Sequence, residues 1–194
     1  MANGNSSKSA LFTIGGREYY KDRFKKYPNE NAGIVNVVDK NRRKHSAEGA
    51  PNSTAQTKKG DSWVDLSKSE PNHVVRLSAH EAGAEKHWFV TERVSGSLRD
   101  VMSMSPFKKL LTKENRLDIN DAIDILLDVD AVHKRGYSGL HLSPDRIMRV
   151  KTLKPNIHLD TLGPDAKDSV TASRHWYKLS WFGSEGPDHV PAEG

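Results

Sequence analysis

The feature that most constrains the fold is an amphipathic pattern that runs from about residue 113 to residue 134. Its apolar residues recur at intervals of three and four, which predicts an α-helix with one face toward a core. Gly136 suits the end of this helix, and Lys134 and Arg135 suit its negative C-terminal dipole. We expect His133 to be buried and hydrogen-bonded rather than a ligand. The predicted buried stripe is Ile119, Ala122, Ile123, Leu126, Val129 and His133, with Asp118, Asp121, Asp124 and Asp128 off it.

Short β-branched or alternating runs around this helix predict strands. Ser97 and Asp100 fit a capping box, with the acid three residues after the cap, and predict that a short helix begins there. Strands and helices in this order indicate an α+β fold. The predicted strands are residues 11–14, 33–39, 73–80 and 87–92, of which the last two form an antiparallel hairpin, and then 146–150 and 156–160.

A change of composition interrupts the first half of the chain. Residues 40–59 are rich in Ser, Ala, Pro, Asn and Lys and show no apolar periodicity. Such a segment buries too little apolar area to offset the entropy lost on ordering. We therefore predict a disordered insert at about 40–60 and a flexible N-terminus at 1–10. The basic run "KNRRK", residues 40–44, is either a solvated loop, which we favour, or a nuclear-import patch.

Composition also argues against several classes of protein. The chain has no cysteine, and therefore neither a disulfide framework nor a thiolate metal site. No apolar run approaches the ~18 residues of a membrane span, and the first residues lack the apolar stretch of a signal peptide. We expect an intracellular protein, cytoplasmic or nuclear, without a membrane partner. The net charge of +5 permits contact with nucleic acid but does not favour it.

Several stretches resemble, in their order, the eukaryotic protein-kinase family. "HWFVTERVSGSLRDVM", residues 87–102, is similar to the last strand of the N-lobe, the hinge and the next helix. "GLHLSPDRIM", residues 139–148, and "LDTLG", residues 159–163, stand where the family has its catalytic loop and its DFG motif. The resemblance covers about residues 70–165. It implies a two-lobed fold: a small antiparallel N-lobe sheet over 11–94 and a reduced, truncated helical C-lobe over 95–194, which ends near the activation segment.

The resemblance assigns roles to individual residues. Thr91 falls at the gatekeeper, and Glu92 and Val94 fall where backbone groups of the hinge bind adenine. Met148 falls on the floor of the adenine pocket. Asp160 falls on the DFG aspartate, which holds the Mg²⁺ that bridges the ATP phosphates.

At other positions the chain departs from the family. His141 replaces the catalytic-loop aspartate; a neutral imidazole can accept a proton near pH 7 but has no negative charge. Arg146 replaces the metal-binding asparagine, and a guanidinium cannot coordinate Mg²⁺. Asn36 takes the position of the strand lysine. The glycine-rich loop is reduced to Gly15-Gly16, and we expect no helix with an inward glutamate before residue 70.

These departures predict a pseudokinase-type protein, a decoy, inhibitor or scaffold that acts by binding a protein such as a kinase or a kinase substrate. We expect no cofactor in that case. One alternative is a divergent ATP-dependent kinase that uses Asp160 with Asp145 or His141 and binds ATP with weak or no dependence on Mg²⁺. A second alternative is a basic module that binds nucleic acid. Aromatic residues near the C-terminus either form an exposed patch or, as we favour, fold back onto the core: Trp176, Tyr177, Trp181 and Phe182.

Overall fold

The computed structural model describes residues 9–22, 33–103, 119–138, 142–150, 176–181 and 188–189. Within these ranges the chain forms three helices and three largely separate sheets, and every strand pair in the sheets is antiparallel. The α+β class predicted from the sequence is confirmed. None of the helices in the described ranges is long and apolar enough to cross a membrane.

The largest sheet has six strands in the order β1-β2-β3-β4-β6-β5. The predicted strands at 11–14, 33–39 and 87–92 are confirmed within a residue, and so is the predicted hairpin, although its first strand begins at Leu77 rather than His73. The six strands are β1 Phe12–Ile14, β2 Arg17–Lys21, β3 Ile34–Asp39, β4 Lys44–Pro51, β5 Leu77–Ala82 and β6 Lys86–Glu92.

The prediction of a disordered insert at about 40–60 is wrong, because this segment forms β4 and the first half of helix α1, Thr54–Ser69. β4 lies inside the sheet between β3 and β6, so its backbone is hydrogen-bonded on both sides although its side chains are small or polar. Ser53 caps α1 by accepting the Gln56 N–H at 3.2 Å. A helix therefore does precede residue 70, but α1 contains no glutamate, so the expectation of no helix with an inward glutamate is not contradicted.

α1 packs on the sheet through a face that is only partly apolar. Its buried residues are Lys59, Gly60, Trp63, Leu66 and Ser67. Trp63 is fully buried, donates its indole N–H to the Val75 carbonyl at 2.8 Å, and stacks near Phe89. Truncation of such a residue to alanine typically costs about 3–5 kcal/mol, so Trp63 anchors the helix.

A second sheet continues from the end of β6, with the order β10-β9-β7. Its strands are β7 Val94–Ser97, β9 Ile147–Val150 and β10 Trp176–Leu179, and the pair of β8 Tyr137–Ser138 with β11 Asp188–His189 forms the third sheet. Helix α2, Leu98–Met102, follows β7 directly and begins with the predicted capping box of Ser97 and Asp100. β9 confirms the strand predicted at 146–150, whereas residues 156–160 lie outside the described ranges.

Helix α3 spans Ile119–Lys134 and ends where the sequence predicted, but it buries a different face. The predicted first turns, residues 113–118, lie outside the described ranges. Asp128 and Val132 are fully buried, whereas Ile123 and Leu126 of the predicted stripe are 48% and 68% exposed. His133, predicted to be buried, is exposed. The helix carries apolar residues on both faces, and burial of Asp128 is possible because His73 lies 2.6 Å from its carboxylate, Nδ1 to Oδ1.

The main core lies between α1, α3 and the strands of the first two sheets. Tyr177 and Trp181 are buried in it, which confirms for these two residues that the aromatic C-terminal segment folds back. The side chain of Trp176 and residue Phe182 lie outside the described part, as does most of the predicted flexible N-terminus.

Candidate functional site

Three residues that the fold brings together from β3, β4 and β7 form a buried polar network. The backbone N–H of Val94 donates to Ser46 Oγ at 3.1 Å, and the Ser46 hydroxyl donates to Asn36 Oδ1 at 3.3 Å. All three residues are at most 6% exposed. The N–H that the sequence assigned to adenine binding is therefore already hydrogen-bonded within the protein.

Thr91 and Glu92, at the end of β6, also have hydrogen-bond partners within the protein. The Thr91 hydroxyl lies 2.9 Å from the Glu92 carbonyl and 3.3 Å from the Ser46 carbonyl, and Thr91 is fully buried. Glu92 Oε1 accepts the Arg76 N–H at 2.9 Å and the Lys178 ammonium at 2.8 Å. Glu92 thus joins the end of β6 to β10, and both predicted site residues have structural partners.

Met148 lies on β9 opposite Ser97 of β7 and Lys178 of β10. It is 1% exposed and belongs to the same core cluster as Val94. The structure therefore brings four predicted positions, Asn36, Thr91, Val94 and Met148, into the region where the two larger sheets meet. The serine that links two of them was missed, because its segment had been predicted to be disordered.

A buried cation lies beside this region on helix α1. Lys59 is 3% exposed, and its ammonium lies 4.6 Å from the centre of the Phe89 ring. Burial lowers the Lys59 pKa from 10.5 to about 8; the negative charge of Glu48 on β4 opposes this shift, and the positive charge of Arg146 reinforces it. Glu48 of β4 and Arg146 of the turn before β9 therefore both act on the charge of Lys59.

A chain of two histidines and an acid continues from Lys59 along the seam between α1 and the sheet. His80 Nε2 lies 3.4 Å from Asp61 Oδ1, and His80 Nδ1 lies 3.1 Å from His87 Nε2. A proton on His80 Nε2 satisfies Asp61 and leaves Nδ1 to accept the His87 N–H. Burial, followed by the charges of His80 and Lys59, lowers the pKa of His87, although Asp61 opposes this. The sequence pattern did not predict the pairing of His80 with His87, because it depends on the register of the β5–β6 hairpin.

The remaining predicted residues are not part of this arrangement. Asp145 Oδ1 pairs with Arg99 Nε at 2.5 Å, with both side chains about half exposed, so the pair is solvated and contributes little to stability. His141 and Asp160 lie outside the described ranges. Within the described part of the chain, no group of three His, Asp or Glu side chains is arranged to hold a metal ion.

No protein-family model matches the chain, and no curated protein matches it. The geometry of the site is therefore the basis on which a function can be argued.

Proposed function

We propose that this chain is a kinase-like domain that has lost the means of phosphotransfer and acts by binding another protein, as a decoy, inhibitor or scaffold. The order of its elements supports the proposal. Strand β4 is followed by helix α1, strands β5 and β6, the short strand β7 of the second sheet, a short helix and a long helix. Protein kinases carry their lysine strand, αC helix, further strands, hinge and C-lobe helices in the same order.

The observation that carries the proposal is the bond between Val94 and Ser46. In the kinase-like interpretation Val94 supplies the hinge N–H for adenine, and here Ser46 Oγ accepts that proton in a site that is buried from water. A nucleotide would have to break this bond and displace the buried side chains around it. A hydrogen bond that is lost without replacement inside a protein costs about 1–3 kcal/mol, which weakens nucleotide binding before any phosphate contact is considered.

The charges around Lys59 support the same conclusion. Kinases place a lysine on the strand before αC, where it holds the phosphates, and pair it with a glutamate of αC. Because β4 is the strand before the helix, Glu48 and Lys59 have these two charges exchanged. A carboxylate on the strand repels phosphate groups. Asn36, which the sequence placed at the lysine position, lies one strand further from the helix in this alignment.

The binding half of the proposal is supported by the outer face of α3. Ile123, Leu126 and Leu127 lie within two turns of the helix and are 48%, 68% and 40% exposed. Adjacent exposed apolar side chains commonly mark a contact surface for another protein. A kinase or a kinase substrate fits a decoy or scaffold role, because a domain of kinase-like shape can compete for the same surfaces.

A radiolabelled-ATP assay on the purified protein tests the loss of phosphotransfer. We expect no transfer to itself or to a general protein substrate, equal to the background of an Asp160→Ala variant. Label transfer that Asp160→Ala abolishes would overturn the proposal and favour the divergent-kinase alternative. For the binding role, we expect a stable complex with a kinase or its substrate that Leu126→Asp disrupts. Met102→Asp, at a side chain that is 57% exposed on α2, is the matched control.

A further inference from the structure

The turn between β3 and β4 is closed by hydrogen bonds, although the sequence placed it in a disordered segment. Asp39 Oδ1 accepts the backbone N–H groups of Asn41 and Arg43, both at 2.9 Å. The Arg42 N–H donates to the Asp39 carbonyl at 2.8 Å, and the Asp39 N–H donates to the Arg43 carbonyl at 3.1 Å. The aspartate is itself 2% exposed, so its carboxylate organises the turn from the inside.

Arg42 has an unusual backbone conformation within this turn. Its φ is 61°, and among the described residues other than glycine it is the one with a positive φ. A three-residue hairpin loop commonly needs this conformation at its last position, where glycine is the preferred residue because it has no Cβ. The chain carries an arginine there instead. Strained residues of this kind are found preferentially at functional sites.

The turn is also strongly basic. Lys40, Arg42, Arg43 and Lys44 are all exposed, and none of them has an ion pair within the part of the chain that the structure describes. Four cations therefore lie within five consecutive residues at the tip of a hairpin. Asp39 attracts Arg43 electrostatically, but one carboxylate does not neutralise four cations.

From this geometry we propose that the turn at residues 40–44 binds duplex DNA by contacting its backbone phosphates. β3 and β4 lie inside the six-stranded sheet, between β2 and β6, so the turn stands at one end of the sheet and contacts phosphates without entering a groove. Duplex DNA presents one phosphate charge per about 1.7 Å of its axis, a density that suits four cations within five residues. Arginine binds phosphate in a bidentate manner, and neutralised phosphates release counterions that drive association. The turn carries no apolar side chain to insert into a membrane or to bind an apolar peptide, so the observations favour nucleic acid.

Fluorescence anisotropy with a labelled duplex of about 20 base pairs, measured over a range of salt concentrations, tests the proposal. Four phosphate contacts predict a slope of about −3 to −4 in a plot of log K against log salt. The variants Arg42→Gly and Arg43→Gln are each expected to weaken binding and to reduce the steepness of the slope by about 1. The matched control is Lys58→Gln with Lys68→Gln on the exposed face of α1, which removes two charges and is expected to leave binding unchanged.

Arg42→Gly separates a binding role from a structural one. Glycine relieves the positive φ, so we expect the melting temperature of this variant to stay the same or to rise while DNA binding falls. Absence of duplex binding at about 50 mM salt would overturn the proposal, since electrostatic binding is strong there. So would an equal loss of binding in the Lys58 and Lys68 control. Turn-dependent binding to phosphatidylserine vesicles or to polyglutamate, without binding to the duplex, would overturn it in favour of those partners.

Discussion

Replacement of Lys59 by methionine is expected to stabilise the protein at pH 7, although it removes a charged residue that has an acidic neighbour. Lys59 is 3% exposed, and its ammonium lies against the Phe89 ring. Methionine has a similar length and shape but carries no charge that must be removed from water. Lys58, its exposed neighbour, offers a matched control, since Lys58→Met is expected to change the free energy of unfolding by less than about 0.5 kcal/mol.

The size of the stabilisation expected from Lys59→Met follows from the pKa of Lys59, which burial lowers from 10.5 to about 8. Each pKa unit corresponds to about 1.4 kcal/mol, so at pH 7 the charged lysine costs the folded state roughly 3 kcal/mol relative to a neutral side chain. Because the folded pKa is the lower one, the unfolded chain binds more protons between pH 8 and 10.5. Stability from this group is fully present above 10.5 and is lost as the pH falls through about 8.

Urea denaturation at pH 7 and pH 10, followed by tryptophan fluorescence, measures both effects. We expect the methionine variant to be more stable than the original protein at pH 7, by up to about 3 kcal/mol. The free energy of unfolding of the original protein is expected to rise by about 2 kcal/mol between pH 7 and pH 10, and that of the methionine variant is expected not to rise in this way. A variant that is less stable at pH 7, with the same pH dependence as the original, would refute the reasoning. It would show that attraction to Glu48 outweighs the cost of burial.

Two further substitutions test packing that the sequence did not predict. Asp128→Asn is expected to lower the free energy of unfolding by about 1–3 kcal/mol, because the charged acceptor for His73 is lost in the core. The control is Asp130→Asn at an exposed position, which should change the free energy of unfolding by less than about 0.5 kcal/mol in the same urea titration. Gly60→Ala places a Cβ in steric overlap with the His80 ring, and thermal unfolding should show a loss of about 1–3 kcal/mol unless the ring moves away without cost.

Local patterns in the sequence were sufficient to predict several elements. The capping box at Ser97 depends on residues three apart, and the β5–β6 hairpin depends on two nearby alternating runs, so both could be recognised without tertiary information. The α+β class follows from the order of such elements. The finer kinase-like interpretation stays a proposal, supported by element order and by the inverted charges of Glu48 and Lys59.

Other features depend on contacts between distant residues and could not be predicted. The buried face of α1 includes Lys59 and Gly60, so its composition resembles that of a loop although Trp63 packs deeply. The orientation of α3 could not be predicted because both faces carry apolar residues. The observed orientation buries Asp128, whose partner His73 is far away in sequence. Ser46 was missed for the same reason, since its partner is Val94, 48 residues later.

In the kinase-like proposal Val94 supplies the hinge N–H, and because Ser46 already accepts this N–H we expect the protein not to bind a nucleotide. The most direct measurement is the melting temperature as ATP is titrated to millimolar concentration, with and without Mg²⁺. A ligand at about 100 times its Kd would stabilise the folded state by about 2.7 kcal/mol, a readily detected shift. The account predicts no change in melting temperature under either condition. A saturable rise, especially one that Mg²⁺ increases, would contradict it.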